Sequence, residues 1–410
     1  MKVDHAGATD AGRRALNEDA FLADETLGLY AVADGMGGAG AGDVAAPLAL
    51  RRFQQTLLLK PGALQRHAVE RSPRERAAVL ALLDEAAQEA CAAVRALQAE
   101  LGRRVGATLT AVVVSGDRAF VAHAGDCRVY LLRQKKLHKL TDEHTLFEDV
   151  IRSGKMTRDE AEASSYAKHK KTITRGLGIQ ETVQADTFDL ELGPADALLV
   201  CTDGLDRVSP EELAGALRLK PAAAAERLVE LANERGGTDN ATAIVVRTVG
   251  AAASRPAVDV SGRIQALQRM PLFAELTYQE IVRVLNATEV REFATGAELL
   301  REGEPGDALY VLLAGGVRLY KDRALIAELG PGAPLGEMAL VDDAPRSATA
   351  VASTPVTALR LGRADFDEIL SKEKELAPKL LMAFVRSFTK RLRKTTEDLA
   401  STGALEPTRR

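Results

Sequence analysis

Residues 29 to 38 read LYAVADGMGG. An apolar run from Leu29 to Ala33 halts at Asp34, and three of the next four residues are glycine. A short apolar run bounded by turn residues predicts a buried strand. Asp34 then stands at the mouth of a core, where an unpaired carboxylate is costly. A single Asp-Gly after a strand is ordinarily just a turn. Here the pattern recurs. Asp203-Gly204 follows Ala197–Thr202, Asp126 ends Ala119–Gly125, and Asp239-Asn240 opens Ala241–Val246. Four strand-edge aspartates predict a carboxylate cage for hard cations.

Working outward, Thr9 to Asp19 places Arg13 and Arg14 just before Asn17-Glu18-Asp19. Arg14 is the candidate phosphate ligand, because guanidinium binds phosphate in a bidentate fork. A helix is expected after Gly42 with Asp43 at its cap. A second begins at Ser72-Pro73-Arg74-Glu75, a capping box with proline at the first helical position. Leu80, Leu83, Ala87, Cys91, Val94, Leu97 and Leu101 share one face of it. Gly106 to Leu132 gives two strand signals joined at Ser115-Gly116-Asp117. Thr141 to Arg175 is polar and poorly periodic, with Asp142, His144 and the basic cluster Lys168–Lys171, and reads as a mobile flap over a site. A strand, two helices and the strand Ala241–Val249 complete the unit near Gly250.

Residues 251–262 are small, polar and proline-containing, as linkers are. Beyond them, short apolar runs alternate with glycine turns at 296, 303, 306, 315, 316, 330, 332 and 336, which suits a β-barrel or jelly roll. A helical segment, Ile264 to Asn286, precedes it. A strongly amphipathic helix closes the chain, with Leu376, Leu380, Phe384, Phe388 and Leu392 four residues apart.

A chain of 410 residues holds two or three domains. Its 46% hydrophobic and 27% charged residues are those of an ordinary globular protein. Three scattered cysteines exclude a disulfide framework or zinc site. A net charge of -4 gives no basic field for nucleic acid. No apolar stretch approaches the ~20 residues of a membrane span, and the N-terminus lacks a signal-peptide core. A cytoplasmic protein bound to neither nucleic acid nor membrane is expected.

The motifs RRALNED, VADGMGG, GATLTAVVV, AHAGDCRVYLL, TDEHT, ITRGLG, VCTDGL and GGTDNATAIVV occur in that order over the first ~250 residues. This set resembles the metal-dependent Ser/Thr protein phosphatases of type 2C, especially the compact bacterial members. The resemblance implies an α+β fold, an α-β-β-α sandwich of two antiparallel sheets flanked by helices. It implies two Mn²⁺ or Mg²⁺ ions, with a third in bacterial members. Asp34 and the carbonyl of Gly35 are implied as ligands, with Asp203 and Asp239 completing one ion and Glu18 acting through water on the other. Asp126 corresponds to a ligand of the third ion, and Asp19 supports the others. A water between the metals is the implied nucleophile, with Arg14 on the phosphoryl oxygens. Met36 stands where animal members carry a histidine, which leaves the proton donor unassigned.

LGEMALVDDAPRSAT, residues 335–349, is similar to the phosphate-binding cassette of cyclic nucleotide-binding domains. That resemblance implies a jelly roll with a C-terminal helix. Glu337 would accept the ribose 2′-hydroxyl and Arg346 would pair with the cyclic phosphate, beside backbone N–H groups after Gly336. Met338 and Ser347 belong to the same cassette, and Ser347 favours cAMP over cGMP.

The resulting expectation is a phosphatase domain at 1–250, a linker at 251–262, a nucleotide-binding domain at 263–372, and a helix and tail at 373–410. The implied activity is phosphoserine/phosphothreonine phosphatase, tuned by cyclic nucleotide. Implied partners are phosphoproteins, including a cognate Ser/Thr kinase and its substrates, and a second copy through the C-terminal helix. Two alternatives stay open: a non-catalytic phosphoprotein-binding scaffold that senses cyclic nucleotide, and hydrolysis of small phosphate esters.

Overall fold

The computed structural model describes residues 1–37, 40–250 and 259–401. Contacts divide the chain into two units, Met1–Ala253 and Ser254–Arg410. Of the linker expected at 251–262, residues 251–258 lie outside the described residues, as does the tail at 402–410. Asp259 to Gly262 are a helix start, not linker, with the Asp259 carboxylate accepting from Gly262 N–H at 2.8 Å. Among the described residues no helix is long and apolar enough to cross a membrane.

In the first unit the strands are β1 (Lys2–Asp10), β2 (Asp19–Asp24), β3 (Leu29–Gly37), β4 (Val105–Ala107), β5 (Leu109–Ser115) and β6 (Arg118–Ala124). They continue as β7 (Arg128–Arg133), β8 (Lys136–Lys139), β9 (Asp186–Glu191), β10 (Ala197–Cys201) and β11 (Ala241–Val249). Among the described residues they form two antiparallel sheets, β1-β11-β10-β7-β8 and β2-β3-β5-β6-β9, with β4 paired to β3.

Helices α1 (Gly42–Leu59), α2 (Gly62–Glu70) and α3 (Pro73–Leu101) cover the second sheet. Helices α4 (Leu146–Arg152) and α5 (Arg158–Ala163) follow β8, and α6 (Pro210–Ala216) and α7 (Pro221–Glu234) cover the first sheet. One face of the second sheet (Leu29, Ala31, Ala33, Ala111, Val113, Phe120, Ala122) packs on α1 and α3 in a shared core. The alternate residues Tyr30, Val32, Val112 and Val121 are equally buried, toward the other sheet. Both faces are therefore covered, which is why these strands read as continuous apolar runs.

Several expectations are corrected. Strand β3 does not end at Asp34, because Gly35, Met36 and Gly37 pair with Ala107, Gly106 and Val105. Ala41, not Asp43, caps α1, and Asp43 lies in its first turn. Residues 118–132 are two strands in different sheets, parted at Gly125. The 141–175 segment is no irregular loop: it holds α4, α5 and a 3₁₀ turn at Ser165–His169, with Thr145 and Thr157 as caps. Helices of six or seven residues are too short to show a period.

The second unit opens with α8 (Val260–Gln268) and α9 (Tyr278–Asn286), two helices where one segment was expected. Its strands are β12 (Thr288–Phe293), β13 (Glu298–Leu300), β14 (Ala308–Ala314), β15 (Val317–Lys321), β16 (Ala324–Leu329), β17 (Pro334–Leu335), β18 (Thr349–Ala352) and β19 (Val356–Gly362). Among the described residues they form the sheets β12-β19-β14-β17 and β13-β18-β15-β16, a jelly roll over Leu299, Leu312, Val317, Ala350 and Ala358. Two helices follow, α10 (Arg363–Lys372) and α11 (Leu376–Ser401), with Leu376, Leu380 and Phe384 buried.

His123 on β6 is fully buried. Its Nε2–H donates to the Asp142 carbonyl at 2.9 Å, which leaves Nδ1 to accept the Thr110 hydroxyl at 2.8 Å. Burial, followed by the charge of neighbouring His144, pushes its pKa down to about 3. Between the ordinary histidine value near 6.5 and about 3, the unfolded chain binds a proton that the fold refuses. This group's stabilisation is therefore complete above the upper value and is lost as pH falls, with a limiting slope of about 1.4 kcal/mol per pH unit. Removing the ring in His123→Asn should flatten the fall of the melting temperature between pH 6.5 and 4.5, as read by calorimetry; parallel curves for variant and parent would reject this account.

Candidate functional site

The predicted aspartates gather on and beside strands of the two sheets. Asp34 lies on β3, opposite Asp19 of β2 in the register. Asp203 follows β10, Asp239 precedes β11, and Asp126 sits in the crossover from β6 to β7. Burial, and then the charges of Asp19, Asp203, Asp126 and Asp239, raise the Asp34 carboxyl well above the usual carboxylate range. Burial and the charge of Asp203 do the same to Asp126. Burial likewise raises Asp19, although the Thr202 and Thr242 hydroxyls donate to it at 2.7 Å each.

Backbone contacts fix these side chains. Thr108 Oγ1 accepts from Asp34 N–H at 2.7 Å, and Thr108 N–H donates to the Asp34 carbonyl at 2.9 Å. Gly204 is wedged so tightly that a Cβ there would stand 1.9 Å from the Asn240 carbonyl oxygen. Asn240 also ties the arginine loop down: it accepts from Glu18 N–H at 2.9 Å and donates to the carbonyls of Ala11 and Leu16. Arg14 is thereby held with Nε donating to the Thr238 carbonyl and one terminal nitrogen 3.0 Å from Asp239, its side chain half exposed.

Glu18 stands somewhat apart. Its carboxylate accepts from Gly42 N–H at 3.1 Å at the start of α1, and its carbonyl takes Gly35 N–H. A residue not singled out from the sequence enters the cluster instead. The Lys171 ammonium, just after the Ser165–His169 turn, lies 2.7 Å from Asp203 and 3.2 Å from Asp239. Thr108, Asn240, Thr202 and Thr242 were equally unassigned. Their signal was adjacency: each stands within one residue of a motif aspartate or inside GATLT and TDNAT.

The donor set is the oxygen set that Mn²⁺ and Mg²⁺ prefer. One Asp126 oxygen is buried without a hydrogen-bond partner. Crowded buried carboxylates of one sign are stable as anions only with cations among them. In charge and chemistry the residues fit divalent ions. Among the described residues, no three His, Cys, Asp or Glu side chains stand arranged to hold an ion; Lys171 bridges two of the carboxylates instead.

In the second unit Gly336 adopts a left-handed conformation (φ 71°) ahead of the turn Glu337–Leu340. Buried Arg346 donates to the carbonyls of Gly336 at 3.1 Å and Ala308 at 2.9 Å, with Asp307 3.7 Å away. It opens on a polar cavity of about 330 Å³ shared with Glu298, Arg301, Glu304, Asp307 and Tyr310. Glu337 lines a separate apolar cavity of about 290 Å³ with Met270, Leu272, Phe384 and Phe388. Met338 and Ser347 are exposed. Within the cassette, Arg346 and Gly336 are thus brought together by the hydrogen bond between them.

Residues 6–254 match the family Protein phosphatase 2C, and residues 290–373 match the Cyclic nucleotide-binding domain. The chain is 31% identical over 246 residues to the serine/threonine phosphatase stp of Listeria welshimeri, covering 58% of this chain and 93% of that protein. It is 35% identical over 251 residues to the serine/threonine protein phosphatase PstP of Mycobacterium tuberculosis, covering 60% of this chain and 45% of that one. The crystal structure of the Mycobacterium tuberculosis phosphatase PstP/Ppp aligns with a TM-score of 0.52 at 34% identity, over 60% of this chain and 99% of that one. A sandwich of two antiparallel sheets with acidic strand ends, matched over more than half the chain, thus defines the class: the chain belongs to the protein phosphatase 2C family and carries a cyclic nucleotide-binding domain behind the phosphatase domain.

Because the Gly204 position faces backbone rather than a flexible side chain, Gly204→Ala should destabilise the fold by on the order of 2 kcal/mol or more and displace Asp203. Chemical denaturation read by circular dichroism checks this, and an unchanged midpoint would show that the wedge is not tight.

Proposed function

We propose that this chain hydrolyses phosphoserine and phosphothreonine esters of proteins in a Mn²⁺- or Mg²⁺-dependent reaction, under the control of a cyclic nucleotide, cAMP in preference to cGMP. The observation that carries the catalytic reading is the mutual electrostatic crowding of Asp34, Asp126, Asp203 and Asp239 with Arg14 beside them. Asp34, the Gly35 carbonyl, Asp203 and Asp239 would hold two ions, with Glu18 reached through water and Asp126 at a third. Divalent ions bound there supply a water of lowered pKa and neutralise phosphoryl oxygens.

The protein's own part is positional. Asp34 is pinned at both backbone groups by Thr108, and Arg14 is offered at the rim with its guanidinium only partly engaged. That leaves donors free to take a phosphoryl oxygen of the substrate. The proposed setting is the cytoplasm, acting on phosphoproteins that include a cognate kinase and its targets.

In the second unit Arg346 would take the cyclic phosphate and Glu337 the ribose, with Gly336, Met338 and Ser347 completing the cassette. Exposed Leu381, Val385 and Leu392 with half-buried Phe388 recur at intervals of four, three and four along α11. This heptad stripe suits a second copy of the chain. Control by nucleotide requires different affinities in two states of the catalytic unit, typically ~1–3 kcal/mol of coupling, and the coupling is reciprocal.

Three measurements test this reading. Asp34→Asn should lower Mn²⁺-dependent turnover of a phosphopeptide on the order of 10³-fold or more; near-parental turnover would misplace the site. Arg14→Ala should raise KM for the same peptide, and unchanged kinetics would make it a surface charge. Calorimetry should show cAMP binding lost in Arg346→Ala. Phosphopeptide affinity should shift with saturating cAMP by the factor that phosphopeptide shifts cAMP affinity, and a flat response would mean that the sensor does not regulate catalysis.

A further inference from the structure

Asp203 and Asp239 each present one oxygen to the same ammonium. Lys171 Nζ stands 2.7 Å from Asp203 Oδ2 and 3.2 Å from Asp239 Oδ2, with Asp206 Oδ2 at 4.0 Å. The other Asp239 oxygen faces Arg14 at 3.0 Å. The two partners differ in freedom. The Asp203 side chain is 7% exposed, and its backbone is locked by the Gly204 wedge and by Asp206 N–H on its carbonyl. The Lys171 side chain is 58% exposed, on a flexible four-carbon stem in the turn after Ser165–His169. If the contact breaks, the lysine moves and the aspartate stays.

The oxygens that the ammonium occupies are half of those that Asp203 and Asp239 can offer a divalent ion. An ion among these carboxylates competes with the ammonium, because like charges a few ångströms apart in a partly buried site repel. The neighbouring cation is spoken for elsewhere: Lys170 pairs with Glu162 at 2.6 Å and lies over the Phe147 ring. Among the basic cluster Lys168–Lys171, the contact with the aspartates is made by Lys171.

We propose that Lys171 is a tethered counter-cation of the aspartate cage, competing with divalent ions for Asp203 and Asp239, so that ion binding expels its side chain and loosens the 165–171 turn that carries it, while residues 172–175 stay pinned through His144, Leu146 and Asp186. This rests on the metal-dependent reading above and extends it to the energetics of loading. The device lowers apparent metal affinity and ties the position of the segment beside the site to metal occupancy. It also spares the cage from carrying uncompensated negative charge while the chain folds.

The test is titration of the chelator-treated full chain with Mn²⁺ by calorimetry, with amide hydrogen exchange over 165–171. Lys171→Met should bind Mn²⁺ on the order of tenfold more tightly, about 1.4 kcal/mol. Lys171→Arg, which keeps a competing cation, should remain near the parent. Lys170→Met, which removes an equal charge without the contact, should stay within about twofold of the parent, since distant charges are screened. Mn²⁺ should raise exchange at 165–171 in the parent and leave it unchanged in Lys171→Met. Equal or weaker Mn²⁺ binding by Lys171→Met overturns the inference while the metal site stands. So does a Lys170→Met effect of the same size, or exchange in the parent indifferent to Mn²⁺. A parent that takes up no Mn²⁺ overturns both.

Discussion

Buried carboxylates of one sign, crowded on and beside the strands of two adjoining sheets, are the constraint on which the first unit is built. Two like charges 4 Å apart at an effective dielectric constant of 20 repel by about 4 kcal/mol, a large fraction of a domain's whole stability. Relaxation would push the side chains toward water. The fold prevents this at the level of backbone. Asp34 is held by reciprocal bonds with Thr108, Asp203 by the Gly204 wedge, and Asp19 by two threonine hydroxyls. Each anchor lies on a strand or directly against one, and the strands are covered on both faces. The large core thus supplies the rigidity that holds the charges in place.

The same constraint explains the route of the chain. A site of four aspartates from four separate segments needs two sheets whose strand ends meet, and a chain that passes between the sheets at that place. Gly125 makes the passage possible: its φ of +125° and the closeness of Thr108, 2.6 Å from where a Cβ would be, exclude any side chain. Asp126 follows at once, carried into the crossover by a backbone that Gly125 alone permits. The arginine loop is recruited from the far end of the sequence by Asn240, so Arg14 and Asp239 meet although 225 positions separate them (239 − 14).

What could be read from the sequence follows from burial on both faces. Leu29–Ala33, Ala197–Cys201 and Ala241–Val246 announce themselves because nearly every side chain is apolar, and the aspartates beside them stand out by contrast. Strand β1, with KVDHAGATD, and strand β8, with KLHK, are edge-like and partly exposed, so neither period nor composition marks them. The helices in 141–175 are shorter than two full turns and are visible only through their caps. Lys171 was illegible for another reason. In a run of four basic and imidazole side chains, nothing local tells which one turns inward; that is decided by where β10 and β11 deliver Asp203 and Asp239. In the cassette the motif named Gly336 and Arg346, and tertiary packing, which spacing does not encode, joins them by a hydrogen bond and adds the Ala308 carbonyl as a second partner of the arginine.

The two ligand sites share a physical logic. At the aspartates a chain cation occupies anionic oxygens; at Arg346 chain carbonyls occupy a cationic fork. At Asp203, Asp239 and Arg346 the charge is thereby compensated, since an uncompensated buried charge costs several kcal/mol. Ligand binding at either place, as proposed, would be an exchange, in which the incoming group replaces an internal partner of like character, and only the difference between the two interactions shows as affinity. An exchange site is weaker than a preformed vacant one but harder to satisfy wrongly. A monovalent cation gains little over the ammonium it must replace, whereas a divalent ion gains both a second charge and further oxygen ligands. A neutral ligand gains nothing over the carbonyls at Arg346, whereas a phosphate brings charge and two oxygens to a fork already oriented. On the proposed exchange, the internal partners would act as selectivity filters as well as counter-charges, and at Lys171 the displaced group would couple occupancy of the site to the turn that carries it.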